Sequence, residues 1–212
     1  MCIRDRPSAY KNFAMKKLLP LLLAAPLLTS QAQAAGSDAL DPLDPAYNFV
    51  GLSYSGGDYS YSAAQIEASV ALGRVPYLFA LGTVAGSVDD IDSDIYGLGI
   101  GFRIRTSEAT SLDIDLAYAQ QQTEGYDDNN MAGLGLGFRA ALGDRWILIA
   151  RARYFISNMT VINNTLYADD FAELTIAPSF YVTDRFSIDL SLRKLIGQYD
   201  DFRYSIGGSF HF

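Results

Sequence analysis

The sequence predicts an all-β protein: a closed antiparallel up-and-down transmembrane β-barrel of ten strands, with eight as the alternative. Three observations carry this. Apolar and polar residues alternate with period two from about residue 46 to the C-terminus. The connections between the alternating segments switch between tight and long. The polar face carries small residues and nearly balanced acids and bases, where a soluble exterior would be dense in Lys and Glu. Composition supports the same reading, with half the residues hydrophobic and only 19% charged against roughly 25% in an ordinary soluble domain.

The N-terminal region reads as export machinery. Met15-Lys16-Lys17 opens a basic segment, Leu18 to Leu28 is an apolar run, and Ala32-Gln33-Ala34 is a small-x-small cleavage pattern. Together they form a signal peptide over 15–34. The apolar run falls well short of the roughly 20 residues a spanning helix needs. Residues 1–14 precede the basic segment and read as a non-native extension, with Met15 as the true start. Cleavage after Ala34 removes Arg4, Arg6, Lys11, Lys16, Lys17 and Asp5, leaving 11 basic and 23 acidic side chains, net −12. Cys2 leaves too, so neither a disulfide nor a lipid-modified cysteine is expected. So acidic a chain is not expected to bind nucleic acid. The lone histidine, His211, cannot build a metal cage with no cysteine beside it, so no metal, cofactor or catalytic set is expected.

An Asp/Pro linker over 35–45 leads into one barrel domain, 46–212. Turn-forming clusters divide it into strands at about 46–55, 63–72, 75–86, 93–105, 110–121, 130–142, 146–157, 169–182, 186–197 and 202–212. The connections 73–74, 106–109, 143–145 and 183–185 are tight. Those at 56–62, 87–92, 122–129, 158–168 and 198–201 are mostly longer and richer in acid. This asymmetry puts both termini on the short-turn rim. Gly97-Leu98-Gly99-Ile100-Gly101-Phe102-Arg103 recurs as Gly133-Leu134-Gly135-Leu136-Gly137-Phe138-Arg139, a hairpin-sized repeat. It is not a nucleotide loop, because the glycines alternate inside a strand and no helix follows. Inward-facing, they either accommodate Arg151 and Arg153 or thin the lumen into a narrow passage.

The polar face carries Glu67, Asp113, Asp115, Glu173 and Asp189 against Arg103, Arg139, Arg151, Arg153, Arg193 and Arg203. These eleven form a predicted lumen ionic network, with Arg103 beside the Asp113/Asp115 pair. The other face, including Leu112, Ile114, Leu116, Leu134, Leu136, Leu174, Ile176, Ile188 and Leu190, faces lipid. Lys194 falls on that face but lies roughly 23 Å from the short turns, near the edge of the apolar band, where it can snorkel. Tyr77, Phe102, Phe138, Trp146, Phe180, Phe186, Phe210 and Phe212 form one expected aromatic girdle, and Tyr54, Tyr118, Tyr154, Tyr199 and Tyr204 the other.

With its signal peptide, alternating strands, tight turns and final Tyr204-Ser205-Ile206-Gly207-Gly208-Ser209-Phe210-His211-Phe212, the chain resembles the small outer-membrane β-barrel proteins of Gram-negative bacteria, the OmpA-type and related barrel-domain group. The resemblance covers 46–212. It implies an outer-membrane location, lipid and lipopolysaccharide as surroundings, and an assembly signal at Tyr204, Ile206, Phe210 and Phe212 read by the barrel-assembly machinery. No domain follows the barrel, so peptidoglycan anchoring of the OmpA kind is not expected.

Three roles follow. An enzyme is disfavoured because His211, at the rim, leaves no base for a serine nucleophile. A monomeric structural or surface-interaction barrel with a largely plugged, ion-paired lumen is the main expectation. A narrow passive pore is the second, since about eight strands are just filled by side chains and open channels need about sixteen. A secreted lipocalin-like barrel for an apolar ligand is the third. The acidic long loops, Asp89-Asp90-Ile91-Asp92-Ser93-Asp94 among them, offer weak divalent-cation binding, with a solvated acidic rim as the simpler reading.

Overall fold

The computed structural model describes residues 43–58, 61–88, 91–123, 128–157, 161–162, 165–166, 170–197 and 200–212. The expected extension, signal peptide and most of the linker lie outside these. A 3-10 turn, Asp44–Tyr47, precedes β1 (Phe49–Gly57), β2 (Ser62–Ala71), β3 (Pro76–Val88), β4 (Ile91–Arg105), β5 (Thr110–Thr123), β6 (Asn129–Ala141) and β7 (Trp146–Ser157). After β7 come a two-stranded ribbon, β8 (Val161–Ile162) and β9 (Thr165–Leu166), and then β10 (Phe171–Thr183), β11 (Phe186–Ile196) and β12 (Asp201–His211).

All strands but β8 and β9 form one closed antiparallel barrel in chain order, so the ten-strand count holds and the eight-strand alternative does not. Closure is made by β1 on β12, in register from Phe49↔His211 to Gly57↔Arg203. The weakly patterned Gly-, Ser- and Ala-rich β1 and β2 are full members, paired from Phe49↔Ser69 to Gly56↔Ser62. Short chain reversals explain the tight rim: Gly73 and Gly143 take φ of +136° and +76°, conformations that side chains rarely adopt and that hairpin turns require.

Apart from register shifts in β2–β3, β3–β4 and β10–β11, the ladders pair residues of like parity. The Gly97 and Gly133 repeats therefore align through one continuous frame, Gly101↔Asp115↔Gly135↔Arg153. Odd-numbered residues point inward and even-numbered ones outward, most cleanly in β5 and β6, where buried and exposed positions alternate from Ser111 to Ala119 and from Met131 to Arg139. A one-residue slip would reverse every face.

The outside is apolar. Leu98, Leu116, Leu136, Ile156, Ile176, Leu192 and Ile206 all stand exposed, Leu136 at 62%. A continuous girdle of such side chains has no partner in water and belongs in hydrocarbon. Among the described residues no helix is long and apolar enough to cross a membrane; the strands do so instead. Lys194, on this outer face, pairs with Asp200 at 3.4 Å at the long-loop end.

Two expectations change. The first strand was placed from residue 46, but Ala46 and Tyr47 lie in the 3-10 turn, started by Asp44-Pro45, and both are buried. Proline's fixed φ suits the first turn of a helix and not a ladder. Tyr77, expected in the short-turn girdle, is 2% exposed and packs inside the barrel with Leu43, Ala46, Tyr47, Ile147 and Tyr181. Its odd position on β3 decides this. Phe102, Phe138, Trp146, Phe186 and Phe210 do stand outside near the short turns, and Tyr54, Tyr118, Tyr154 and Tyr204 stand outside toward the long loops. Phe180 and Phe212 are half-buried, and Tyr199 lies outside the described residues.

Candidate functional site

The lumen is built in tiers. At the short-turn end the chain preceding β1 turns inward and Tyr47, fully buried, becomes the floor. Its hydroxyl donates to Asp113 Oδ1 at 2.6 Å and lies 2.7 Å from Ser111 Oγ. Arg139 Nε donates to the other Asp113 oxygen at 2.6 Å, and its Nη1 bonds the Ala46 carbonyl, so one guanidinium ties plug to wall. The Arg139 and Arg103 guanidinium carbons lie 4.2 and 4.6 Å from the Tyr47 ring centroid, within cation–π range. Burial pushes the Tyr47 phenol well above the ordinary tyrosine range; Arg139 opposes this and Asp113 adds to it, so the hydroxyl remains a donor.

Above the floor, Asp115, fully buried, serves two arginines: Arg153 at 2.9 Å and Arg151 at 3.6 Å. Arg153 also lies against the Phe79 and Phe155 rings. Higher still, Arg193 reaches Glu173 at 3.5 Å and Glu67 at 3.9 Å. Arg203 pairs with Asp201 and sits over the Tyr61 ring at 3.9 Å. Asp189 accepts from Ser187 at 2.8 Å and Ser209 at 2.6 Å.

All eleven residues of the expected ionic network occupy inward positions. Arg103 is opposite Asp113 in register, and its Nε donates to the Arg74 carbonyl at 3.1 Å. Arg139, Arg151 and Arg153, from β6 and β7, reach the two aspartates as well. Tyr204, Ile206 and Phe210 are exposed on the outer face of β12, and Phe212 follows that strand, half-buried.

Sequence reasoning missed Tyr47, Ser111 and Tyr77, and it counted Asp201 among the loop acids. Odd numbering, counted from the alternating β5, was the signal that would have placed Ser111, Tyr77 and Asp201 inward; Tyr47, in the turn before β1, has no such signal.

The glycine repeat has a more specific role than lightening the lumen. A Cβ at Gly99 or Gly101 would overlap the Phe79 or Tyr77 ring, one at Gly133 would press on Phe155, and one at Gly135 on Asp115. Gly99 and Gly101 of β4 therefore seat aromatic rings, where the sequence expectation was room for Arg151 and Arg153. Those of β6 seat Phe155 and the carboxylates that hold the arginines.

His211 is closer to a serine than expected, with Nε2 2.8 Å from Ser187 Oγ. Since Ser187 gives its only hydroxyl proton to Asp189, the imidazole must donate. A histidine donating to its serine is not a base for it. Several loop acids are engaged as well: Asp94 with Tyr96, Asp128 with Gln120, Asp170 with Tyr154, and Asp58 with the Phe202 amide. Among the described residues no group of three metal-ligating side chains converges.

Between floor and long loops lies a cavity of about 410 Å³. Its lining includes Arg151, Arg153 and Arg193 together with Phe79, Met131 and Phe155.

No family model matches the sequence, and no curated protein matches it. Among solved structures, the NanC porin aligns over 77% of this chain and 100% of its own, at 10% identity with a TM-score of 0.53. The KdgM porin in complex with disordered oligogalacturonate aligns over 77% and 99% at 11% identity, TM-score 0.49. The N-terminal β-barrel domain of Pseudomonas aeruginosa OprF aligns over 78% and 98% at 16% identity, TM-score 0.40. At these identities the likeness is one of fold: a membrane-type closed barrel.

Proposed function

We propose that this chain is an integral outer-membrane barrel of a Gram-negative bacterium, exported by its signal peptide, with a structural or surface-interaction role and a lumen closed to through-passage. The observation that carries this is the floor: Leu43, Ala46 and Tyr47 fill the short-turn mouth, and Tyr47 is held by Asp113, Ser111 and two guanidinium groups. Every clamping group is itself buried, which favours a set structure over a loose cover. The barrel works as a monomer, its apolar exterior in contact with lipid and lipopolysaccharide. Its final strand, with Tyr204, Ile206, Phe210 and Phe212, serves as the signal to the barrel-assembly machinery.

The test is single-channel recording of the detergent-refolded chain in a planar bilayer, with heat-modifiable gel migration to establish folding. Folded, inserted protein is expected to be silent. Steady openings would overturn the closed reading and favour the narrow pore, which has one observation on its side: the cavity of about 410 Å³ reaches down to Ala46, Tyr77 and Arg139 beside the floor. Partition of the mature chain into the aqueous phase without detergent would overturn the membrane reading itself and favour a soluble, ligand-carrying barrel.

A further inference from the structure

We infer that the lumenal cavity is a binding site for a small organic carboxylate with an apolar, ring-sized body, held by Arg151 and Arg153. The proposal goes beyond the closed-lumen reading and stands whether or not the barrel conducts.

Cation supply at this level exceeds anion supply. Arg151 and Arg153 share the single carboxylate of Asp115, which is 2.9 Å from Arg153 but 3.6 Å from Arg151. The neighbouring Asp113 is already taken up by Arg139 and Tyr47, and Glu173 has its ion pair with Arg193. Two donors lack a hydrogen bond among the described residues: Arg153 Nη2, and Arg151 Nε, whose ion-pair partner Asp115 Oδ2 stands off at 3.6 Å and is itself without one. Arg153 is only 5% exposed. Leaving such donors unmet is costly, and buried groups of this kind generally mark the place of a missing acceptor. A carboxylate suits them, because its charge strengthens the hydrogen bonds and its two oxygens can accept one from each guanidinium.

The apolar part of the ligand follows from what lies beside those donors. Phe79 and Phe155 flank Arg153 at 5.3 and 5.7 Å from its guanidinium carbon. Met131 and Phe171 continue the same surface. Gly99 and Gly133 keep those rings in place, since side chains there would displace Phe79 and Phe155. A fully hydrated anion gains nothing from this wall, whereas a ligand with a ring or short chain does. At about 410 Å³ the cavity falls in the range that holds one small molecule.

The probe is benzoate, with benzamide as the neutral analogue of the same shape. The readout is the 13C-methyl signal of Met131 in the refolded full barrel, assigned with Met131→Leu. Benzoate is expected to shift that signal saturably and benzamide to bind at least tenfold more weakly. Arg151→Gln is expected to weaken benzoate at least tenfold, with Arg151→Lys intermediate; heat-modifiable migration establishes that each variant is folded. Equal response to benzoate and benzamide, no response to either, or an unchanged affinity in folded Arg151→Gln would each overturn the proposal. So would an equal shift from sodium chloride at the same concentration, which would reduce the site to one for simple ions. Conductance of the wild-type barrel reads the closed floor separately, so the two readings fail independently.

Discussion

Removing the Tyr47 ring should unlatch the floor of the barrel. The side chain is fully buried, and a tyrosine buries roughly 150–250 Å². At about 25 cal/mol per Å² that is about 4–6 kcal/mol as an upper bound. Its hydrogen bond to the charged Asp113 adds about 1.5–3 kcal/mol. Tyr47→Phe keeps the ring over Arg139 and Arg103 and loses only the hydroxyl contacts, so about 2 kcal/mol is removed, roughly a thirtyfold shift toward the undocked plug. Tyr47→Ala removes both and shifts the balance by a factor on the order of a thousand or more. In a planar bilayer the wild type should be silent, Tyr47→Phe should flicker rarely, and Tyr47→Ala should open often through the cavity above. Because the plug precedes β1, neither change breaks a ladder, and heat-modifiable migration should be kept. A folded Tyr47→Ala barrel as silent as the wild type would refute the assignment of closure to this residue.

Three further outcomes follow from the same packing. Asp115→Asn leaves Arg151 and Arg153 facing each other without their shared countercharge, and denaturant unfolding in lipid vesicles should show a loss of about 3–5 kcal/mol; an unchanged midpoint would mean that water already screens the pair. Gly99→Ala drives a methyl group into the Phe79 ring and should cost about 1–3 kcal/mol in the same assay, relieved by Phe79→Leu if the clash is the cause. Leu136→Arg, on the outer face between Ile114 and Ala152, should cost about 2–4 kcal/mol in a bilayer, and a neutral result would mean that this face does not meet lipid.

The alternation that made the strands legible has a plain origin. A half-lipid, half-lumen strand must repeat every two residues, so β5 and β11 declare themselves in eight residues each. The lumen charges were legible for the same reason, since an arginine at position 151 or 153 cannot face hydrocarbon. Pairings were not legible. Arg139 lies opposite Ser111 in register, yet its Nε meets Asp113, and which of several long side chains reaches a carboxylate depends on the tilt and taper of the whole barrel. Tyr47 was hidden for another reason. A plug is not periodic, and a few residues around Pro45 carry no alternation that would separate an inserted segment from a solvated linker.

The charge count across the lumen connects these points. Asp201, inward-facing at the start of β12 and paired with Arg203, brings the lumen acids to Glu67, Asp113, Asp115, Glu173, Asp189 and Asp201, equal in number to Arg103, Arg139, Arg151, Arg153, Arg193 and Arg203. Overall neutrality keeps the desolvation cost of so many enclosed charges bearable. The distribution is uneven, however. The β4–β7 wall holds four arginines and two aspartates, while β10–β12 with β2 hold two arginines and four acids. Within the β4–β7 wall, Asp113 is tied up by Arg139 and the plug, so Arg151 and Arg153 have Asp115 to share. The same carboxylate chemistry that seals the floor therefore leaves cationic donors unmet one tier above it, beside the aromatic wall of the cavity.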